Sequence, residues 1–316
     1  MTSFLGLDVG NTRLTAALVS EQGRILGIAR RDTPPDAADA VAALVELAEG
    51  LEGAAGAAGA GVGFGGPVDV AAGCVRGSFL TRGWDDLPLG EMVAERLGMP
   101  TWLANDADAG GLAEALFGAG RAAGIVLYVN VGTGIGGAVI VDGRIHVGAS
   151  STAGEIGHVL ADSGGPRCAC GHWGCLQEVA SGRALARSAR ERLARGEPST
   201  GPLARMRPDE ITGRAVGQAA AAGDALARAA VDEAARHLGI ALANAVNVLD
   251  PHLVVVGGGV AELGETLLAP VRQAYRAQVL APERQAAIVP AELGYDAGVI
   301  GAAALAMTEQ GARSGR

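Results

Sequence analysis

The chain has 316 residues and a formal net charge of −9, and only 3% of its residues are aromatic. This length accommodates two domains. An acidic chain with few aromatic rings argues against a nucleic-acid partner, and no apolar run reaches the roughly 18 residues of a membrane span. All 25 basic residues are arginine, which excludes reactions that need a Walker A or Schiff-base lysine.

Hydrophobic periodicity predicts an α/β protein that begins with a β-meander. The predicted strands are 4–9, 14–19, 24–28, 61–65, 101–105, 252–259 and 286–293. The predicted helices are 36–52, 89–98, 108–118, 183–196, 223–248, 265–279 and 297–309. The start of the chain leads directly into a core strand without a secretory pattern, so we expect a cytoplasmic protein.

Two segments, 7–27 and 129–148, follow the same plan of strand, Gly/Thr turn, apolar strand and a Gly-Arg-Ile strand opening. This repetition indicates an internal duplication that yields two α/β lobes with a cleft between them. The alternative is that any two hairpins bounded by glycine share this much pattern.

Two glycine runs, Gly61–Gly66 and Gly132–Gly137, match G-x-G-x-x-G, but Pro67 or a strand follows where a dinucleotide site needs a helix. We therefore predict hairpins whose backbone N–H groups hold a polyphosphate, one at Asp8–Thr12 and one at Gly132–Gly137. Asp8 would hold Mg²⁺ through water. Ordinary tight turns are the alternative in a chain with 50 glycines.

A cysteine-rich segment has the spacing H-x₉-C-x-C-x₄-C, formed by His158, Cys168, Cys170 and Cys175. Three thiolates and one imidazole form a typical closed ligand set for structural Zn²⁺. His172 is the competing nitrogen ligand. The fourth cysteine, Cys74, is interpreted as a small buried hydrophobic residue.

Asn105 and Asp106 lie where a predicted strand ends and a helix begins. They could cap the helix. Alternatively, Asp106 is a general base that takes a proton from a hydroxyl attacking phosphorus.

Taken together, the motifs DVGNT, GFGGPVD, AND, GTGIGG, GEIGH, CACGHWGC and VVVGGGV resemble the ROK family (repressors, open reading frames, sugar kinases) of the actin-like ATPase fold. The resemblance implies two ribonuclease-H-like lobes with an interlobe cleft and a small zinc-binding segment. One lobe would comprise 1–120 and 296–316, and the other would comprise 121–295 with the zinc segment 158–175.

The resemblance also implies ATP-dependent phosphorylation of a hexose at its 6-hydroxyl, glucokinase being favoured, in a homodimer or homotetramer. Asp106 would be the catalytic base. The implied sugar contacts are Gly66, Asn105, Asp106, Glu155, His158 and Gln177. The implied ATP contacts are Asp8, Gly10, Asn11, Thr12, Thr133, Gly134, Gly257 and Gly258.

Three positions depart from the family pattern. Asn11 replaces a glycine, which we expect to be tolerated because Asn adopts the left-handed region. Gln177 replaces a glutamate, with Glu178 next to it, and Leu80 lies where the family often has an asparagine. These changes leave the preferred sugar open between glucose, fructose, mannose, N-acetylglucosamine and N-acetylmannosamine. A repressor, a sugar-sensing protein without catalysis and a dehydrogenase are the other candidate functions.

Overall fold

The structure, a computed structural model, describes residues 2–78, 82–281, 283 and 285–314. Leu80 lies outside these residues. Each strand and helix predicted from the sequence has a counterpart, with boundaries that differ by a few residues. The prediction missed helices α4 and α6, which are short, and the two-residue strands β5 and β6. The strands and helices are β1 (Ser3–Val9), β2 (Arg13–Ser20), β3 (Ile25–Asp32), α1 (Ala37–Glu49), β4 (Ala60–Phe64), β5 (Val68–Asp69), β6 (Cys74–Val75), α2 (Leu89–Leu97), β7 (Thr101–Asn105), α3 (Asp106–Phe117), β8 (Ile125–Val131), β9 (Ile135–Val141), β10 (Arg144–Ile145), α4 (Leu176–Ala180), α5 (Gly182–Ala194), α6 (Gly213–Ala221), α7 (Ala225–Leu249), β11 (Leu253–Gly257), α8 (Glu265–Arg276), β12 (Ala287–Pro290) and α9 (Ala297–Ser314).

Two five-stranded sheets have the same strand order in the described chain. The first is β3-β2-β1-β4-β7 and the second is β10-β9-β8-β11-β12. In the first sheet β2 pairs antiparallel with β1 and β3, whereas β4 pairs parallel with β1 and β7. The first sheet is therefore mixed, and the repeated order agrees with the duplicated sequence pattern.

The chain divides into two compact units by its internal contacts. Unit 1 comprises 1–128, 138–154 and 292–316, and unit 2 comprises 129–137 and 155–291. No helix in the described part of the chain is long and apolar enough to cross a membrane.

In unit 1, alternate residues of β1 face two different hydrophobic clusters. Leu5, Leu7 and Val9 pack with α1, and Phe4 packs with α9. Side chains alternate along a strand, so Gly6 and Asp8 lie on the face that α9 covers.

Close backbone packing holds α9 against this sheet. A Cβ atom at Gly6 would lie 2.0 Å from the carbonyl oxygen of Val299, and one at Gly61 would lie 1.8 Å from that of Ala302. Any larger side chain at either position would push α9 away from the sheet. The helix therefore rests directly on β4 and on β1, the strand that carries Asp8.

Candidate active site

Asp8 in unit 1 lies near the carboxyl end of β1, beside two glycines. Its partner in the parallel ladder is Gly63 of β4. Cβ atoms at Gly63 and Gly298 would lie 3.6 Å and 3.5 Å from Asp8 Oδ1. The sequence analysis missed both glycines as parts of the site, and Gly298 could not have been found from local spacing because 290 residues separate it from Asp8.

Asn105 and Asp106 form the junction between β7 and α3. The Oδ1 atom of Asn105 accepts a hydrogen bond from the N–H of Ala107 at 2.8 Å, and its Nδ2 donates to the carbonyl of Gly66 at 3.0 Å. Asn105 is thus the helix cap. Asp106 is the first helical residue and its Oδ1 also accepts from Ala107, at 2.9 Å.

The carboxylates of Asp8 and Asp106 lie close enough to influence each other. A Cβ atom at Gly63 would lie within 3.8 Å of both Asp8 Oδ1 and the Cα of Asp106. Burial, and then the negative charge of Asp106, raise the pKa of Asp8 to about 7. A hard cation at this point would relieve the repulsion, since carboxylate oxygen is the ligand that Mg²⁺ prefers. The residues therefore fit a magnesium ion.

The hairpin after β1 is held by its own hydrogen bonds. The N–H of Gly10 donates to the carbonyl of Arg13 at 3.0 Å, and the hydroxyl of Thr33 donates to the carbonyl of Gly10 at 2.7 Å. Asn11 and Thr12 are exposed at the tip. Asn11 does not have a positive φ. The position therefore does not need the left-handed region that we expected Asn11 to adopt, and its backbone conformation is one that most residues can take.

A comparable hairpin connects β8 and β9 in unit 2, where the N–H of Gly132 donates to the carbonyl of Gly134 at 2.9 Å. The glycines of this hairpin do not have a positive φ. Gly132 borders open space instead, since nothing lies within 4 Å of a Cβ atom placed on it. In both hairpins the N–H of the first glycine, Gly10 or Gly132, donates to a carbonyl of the same hairpin. Any contacts to phosphate must therefore come from the residues that follow it.

The turn after β11 lies against the same hairpin. Gly258 has φ +88°, and a Cβ atom there would lie 2.4 Å from Asn130 Oδ1. The N–H of Val260 donates to the carbonyl of Val131 at 2.9 Å. The Gly257–Gly259 turn thus packs against Asn130 and Val131, the two residues that lead into the hairpin.

The structure brings His158 and the three cysteines of the predicted metal segment together in unit 2. One ligand atom from each of these four residues lies within 4.8 Å of the other three. The sulfurs of Cys170 and Cys175 are 3.6 Å apart, and Cys168 Sγ is 3.8 Å from His158 Nδ1. Tetrahedral zinc with bonds of about 2.3 Å would have S···S edges of about 3.8 Å, so the cluster fits zinc.

Tight turns fold this segment. The N–H of Cys168 donates to the carbonyl of His172 at 2.7 Å, and Gly174, with φ +70°, has the carbonyl of Asp162 only 1.7 Å from where a Cβ atom would lie. His172 Nδ1 is 3.6 Å from Cys170 Sγ, but His172 does not belong to the four-residue group. Cys74 is half-buried and donates to the carbonyl of Ala72. It is less buried than we predicted because it lies in the β5–β6 hairpin, and it lies outside the four-residue group.

The environment of the thiols favours a mixed protonation state before metal binds. A backbone hydrogen bond from His172 is the main cause that lowers the pKa of Cys170, to about 6. Burial raises the pKa of Cys175 to about 12. Because the ligand form is the thiolate, metal binding must release protons here.

Two further side chains lie next to the cysteine cluster. The Nε2 atom of His158 is 4.0 Å from Glu155 Oε2. Gln177 donates from Nε2 to Cys168 Sγ at 3.1 Å, and its Oε1 is 3.1 Å from a Cβ atom placed on Gly134. Glu178 points elsewhere, to Arg187. Gln177 therefore connects the cysteine cluster to the glycine hairpin, a role that its position in the sequence did not suggest.

The ROK family model matches residues 4–309. The glucokinase of Halalkalibacterium halodurans is 34% identical, over 94% of this chain and 93% of that protein. The crystal structure of a ROK family glucokinase from Streptomyces griseus, in complex with glucose and AMPPNP, superposes with a TM-score of 0.85 at 35% identity and covers 97% of this chain and 99% of that one. An N-acetylmannosamine kinase of Escherichia coli is 33% identical, over 97% of this chain and 99% of that protein. The chain belongs to the ROK family and has the α/β fold of its kinases, with mixed sheets.

Proposed function

We propose that the protein transfers the γ-phosphoryl group of ATP to the 6-hydroxyl of a hexose, and that glucose is the preferred sugar. The observation that carries the proposal is the pair Asp8 and Asp106, held side by side in a chain that is similar over its full length to glucokinases. Phosphoryl transfer to an alcohol needs a cation beside the phosphates and a base beside the hydroxyl. The two carboxylates supply one group for each task.

In this proposal Asp106 accepts the proton of the 6-hydroxyl while the hydroxyl oxygen bonds to the γ-phosphorus and ADP leaves. Asp106 is suited to this because a hydrogen bond from the Ala107 N–H fixes its Oδ1 atom at the start of α3. Asp8 would hold Mg²⁺, which neutralises charge on the phosphates when bound.

The remaining roles follow the family resemblance. Sugar hydroxyls would be bound by Asn105, Glu155, His158 and Gln177 and by the backbone of Gly66. Nucleotide would be bound by Gly10, Asn11, Thr12, Thr133, Gly134, Gly257 and Gly258. Zn²⁺ bound to His158 Nδ1 would fix the imidazole and leave Nε2 directed toward Glu155 and the sugar.

The proposal extends to a cytoplasmic homodimer or homotetramer with two lobes, 1–120 with 296–316 and 121–295, and without a nucleic-acid partner. A kinase for N-acetylmannosamine is the second candidate function. It is supported by the similarity to an N-acetylmannosamine kinase, which is 33% identical to this chain over 97% of its length.

A coupled assay of ADP release with zinc-loaded protein tests the proposal. Glucose, mannose, fructose, N-acetylglucosamine and N-acetylmannosamine are compared, and glucose should give the highest kcat/KM. Asp106→Asn should lower kcat by about 10²-fold to 10⁴-fold, the usual value of a general base. Asp39→Asn removes an exposed carboxylate from the first turn of another helix and should change nothing. Failure of all five sugars would refute the kinase function, and an active Asp106→Asn enzyme would refute the assigned base.

A further inference from the structure

The amino-terminal end of α5 is fastened to the glycine hairpin between β8 and β9. Gly182 donates its N–H to the carbonyl of Gly132 at 2.9 Å, and Arg183 donates its N–H to the carbonyl of Thr133 at 3.4 Å. Ser181 caps the helix and is completely buried. These contacts all lie within unit 2, so the position of Arg183 relative to the hairpin is set by the fold of that unit.

The side chain of Arg183 extends over the same hairpin. Its Nη2 atom is 4.0 Å from a Cβ atom placed on Gly134, and the residue is exposed. Gln177 Oε1 is 3.1 Å from the same Cβ position, so the Arg183 guanidinium and the Gln177 amide both border the space above the Gly134 backbone.

The charge of Arg183 is not neutralised by an acidic side chain in the described part of the chain. Arg187, one helical turn further on, is different, because Glu178 lies 3.5 Å and Glu191 3.8 Å from its guanidinium. Arg192 is likewise paired with Glu197 and Glu233, and Arg190 donates to the carbonyl of Ile211. Of the four arginines of α5, Arg183 is the one at the hairpin.

A nucleoside triphosphate needs positive charge next to its phosphates, and this chain has no lysine to provide it. A guanidinium can donate two parallel hydrogen bonds to a phosphate, which makes arginine well suited to the task. We propose that Arg183 binds the phosphates of the nucleotide held at the Gly132–Gly134 hairpin and so sets the affinity for MgATP. This inference rests on the proposed function, and it identifies which side chain replaces the missing lysine.

Titration calorimetry with MgADP, MgAMPPNP and adenosine tests the proposal on the zinc-loaded full-length chain. Arg183→Gln should weaken binding of both phosphorylated nucleotides by about 10-fold to 100-fold, the usual value of hydrogen bonds to charged groups. Adenosine has no phosphate, so its affinity should not change. Arg183→Lys keeps the positive charge but lacks the planar pair of N–H donors of a guanidinium. It should therefore recover part of the lost nucleotide affinity.

The matched control is Arg195→Gln. Arg195 caps the other end of α5 and pairs with Glu197 at 3.4 Å, so its removal lowers the net charge equally without touching the hairpin. Wild-type affinity for MgADP in Arg183→Gln would overturn the proposal, as would an equal loss in Arg195→Gln or an equal loss for adenosine. An unchanged unfolding temperature should accompany the Arg183 effect, because the side chain is exposed.

The outcome also separates this inference from the sugar kinase proposal. If no sugar is phosphorylated but MgADP binds in an Arg183-dependent way, the proposed function fails and the role of Arg183 stands. If glucose is phosphorylated with the same KM for ATP in wild type and in Arg183→Gln, the kinase function stands and the role of Arg183 fails. An intact wild-type protein that binds none of the nucleotides would overturn the role of Arg183.

Discussion

The carboxylate pair and the cysteine cluster are built in different ways. Asp8 and Asp106 lie at the ends of regular elements, and a strand ladder and a helix cap fix their backbone. The cysteine cluster lies in a segment of turns, where Cys168, Cys170 and Cys175 are joined by glycines and single hydrogen bonds. The fold therefore positions the first site before any ligand binds, whereas we expect the second to depend on a bound metal.

Loss of a cysteine ligand should give the largest effect. Cys175→Ser removes a buried member of the cluster and should weaken zinc binding by more than about 100-fold, which exceeds the usual loss from a neighbouring contact alone. Glucose phosphorylation should fall with the metal content. The measurements are bound zinc after dialysis and the rate of ADP release.

Cys74→Ser is the control for this prediction, since Cys74 lies in the β5–β6 hairpin outside the cluster. It should keep its zinc and its activity. If Cys175→Ser also kept both, the metal would not be needed to organise the segment that carries His158, and the contrast between the two sites would disappear.

Loss of the backbone hydrogen bonds that Glu114 of α3 accepts should give the next largest effect, a decrease in stability. Glu114 is fully buried, and its carboxylate accepts hydrogen bonds from the backbone N–H groups of Ala119, Glu292 and Leu293 at 2.9, 3.1 and 2.8 Å. Glu114→Ala leaves three donors without an acceptor, so the free energy of unfolding should fall by about 3 kcal/mol or more. Urea unfolding measures the change.

Glu114→Gln keeps the size of the side chain and one acceptor oxygen, and it should destabilise the protein less. Zinc content should be unchanged in both variants, because Glu114 belongs to unit 1 and the cluster to unit 2. A loss of zinc in Glu114→Ala under conditions where the protein stays folded would contradict the independence of the two sites.

The sequence predicted the fold well where hydrophobic periodicity was strong, as in β1, β7 and α3. It also predicted the cysteine cluster, because ligand spacing is a local property of the chain. It could not predict the contacts of Asp8 with Gly63 and Gly298, which come from distant parts of the chain. Gln177 was interpreted only as a sugar contact, because its hydrogen bond to Cys168 depends on how the turns fold. Side-chain direction in irregular segments is the information that the sequence pattern lacks.

A smaller effect is expected where Gln177 contacts the cluster. Gln177→Glu replaces a donor to Cys168 Sγ with a negative charge beside a thiolate, so zinc should be released about 10-fold faster to a chelator. Gln218→Glu adds the same charge on the exposed face of α6 and should release zinc at the wild-type rate. Equal release from wild type and Gln177→Glu would show that the amide does not support the metal site. The sugar KM of the same variant independently tests whether position 177 contacts the substrate.

The last expected effect is the pH dependence of stability caused by Asp8 in magnesium-free protein. The pKa of Asp8 is raised from 3.8 to about 7 by burial and by Asp106, so between these values the folded state keeps a proton that the unfolded state has lost. Stability therefore falls as pH rises from about 4 to 7, and the loss is complete above pH 7. Asp8→Asn removes this loss, and its unfolding temperature should exceed that of wild type by about 3 °C at pH 8. The difference should shrink as the pH is lowered toward 4. A difference between Asp8→Asn and wild type that stayed constant across this pH range would mean that neither burial nor the charge of Asp106 raises the pKa of Asp8 in the fold.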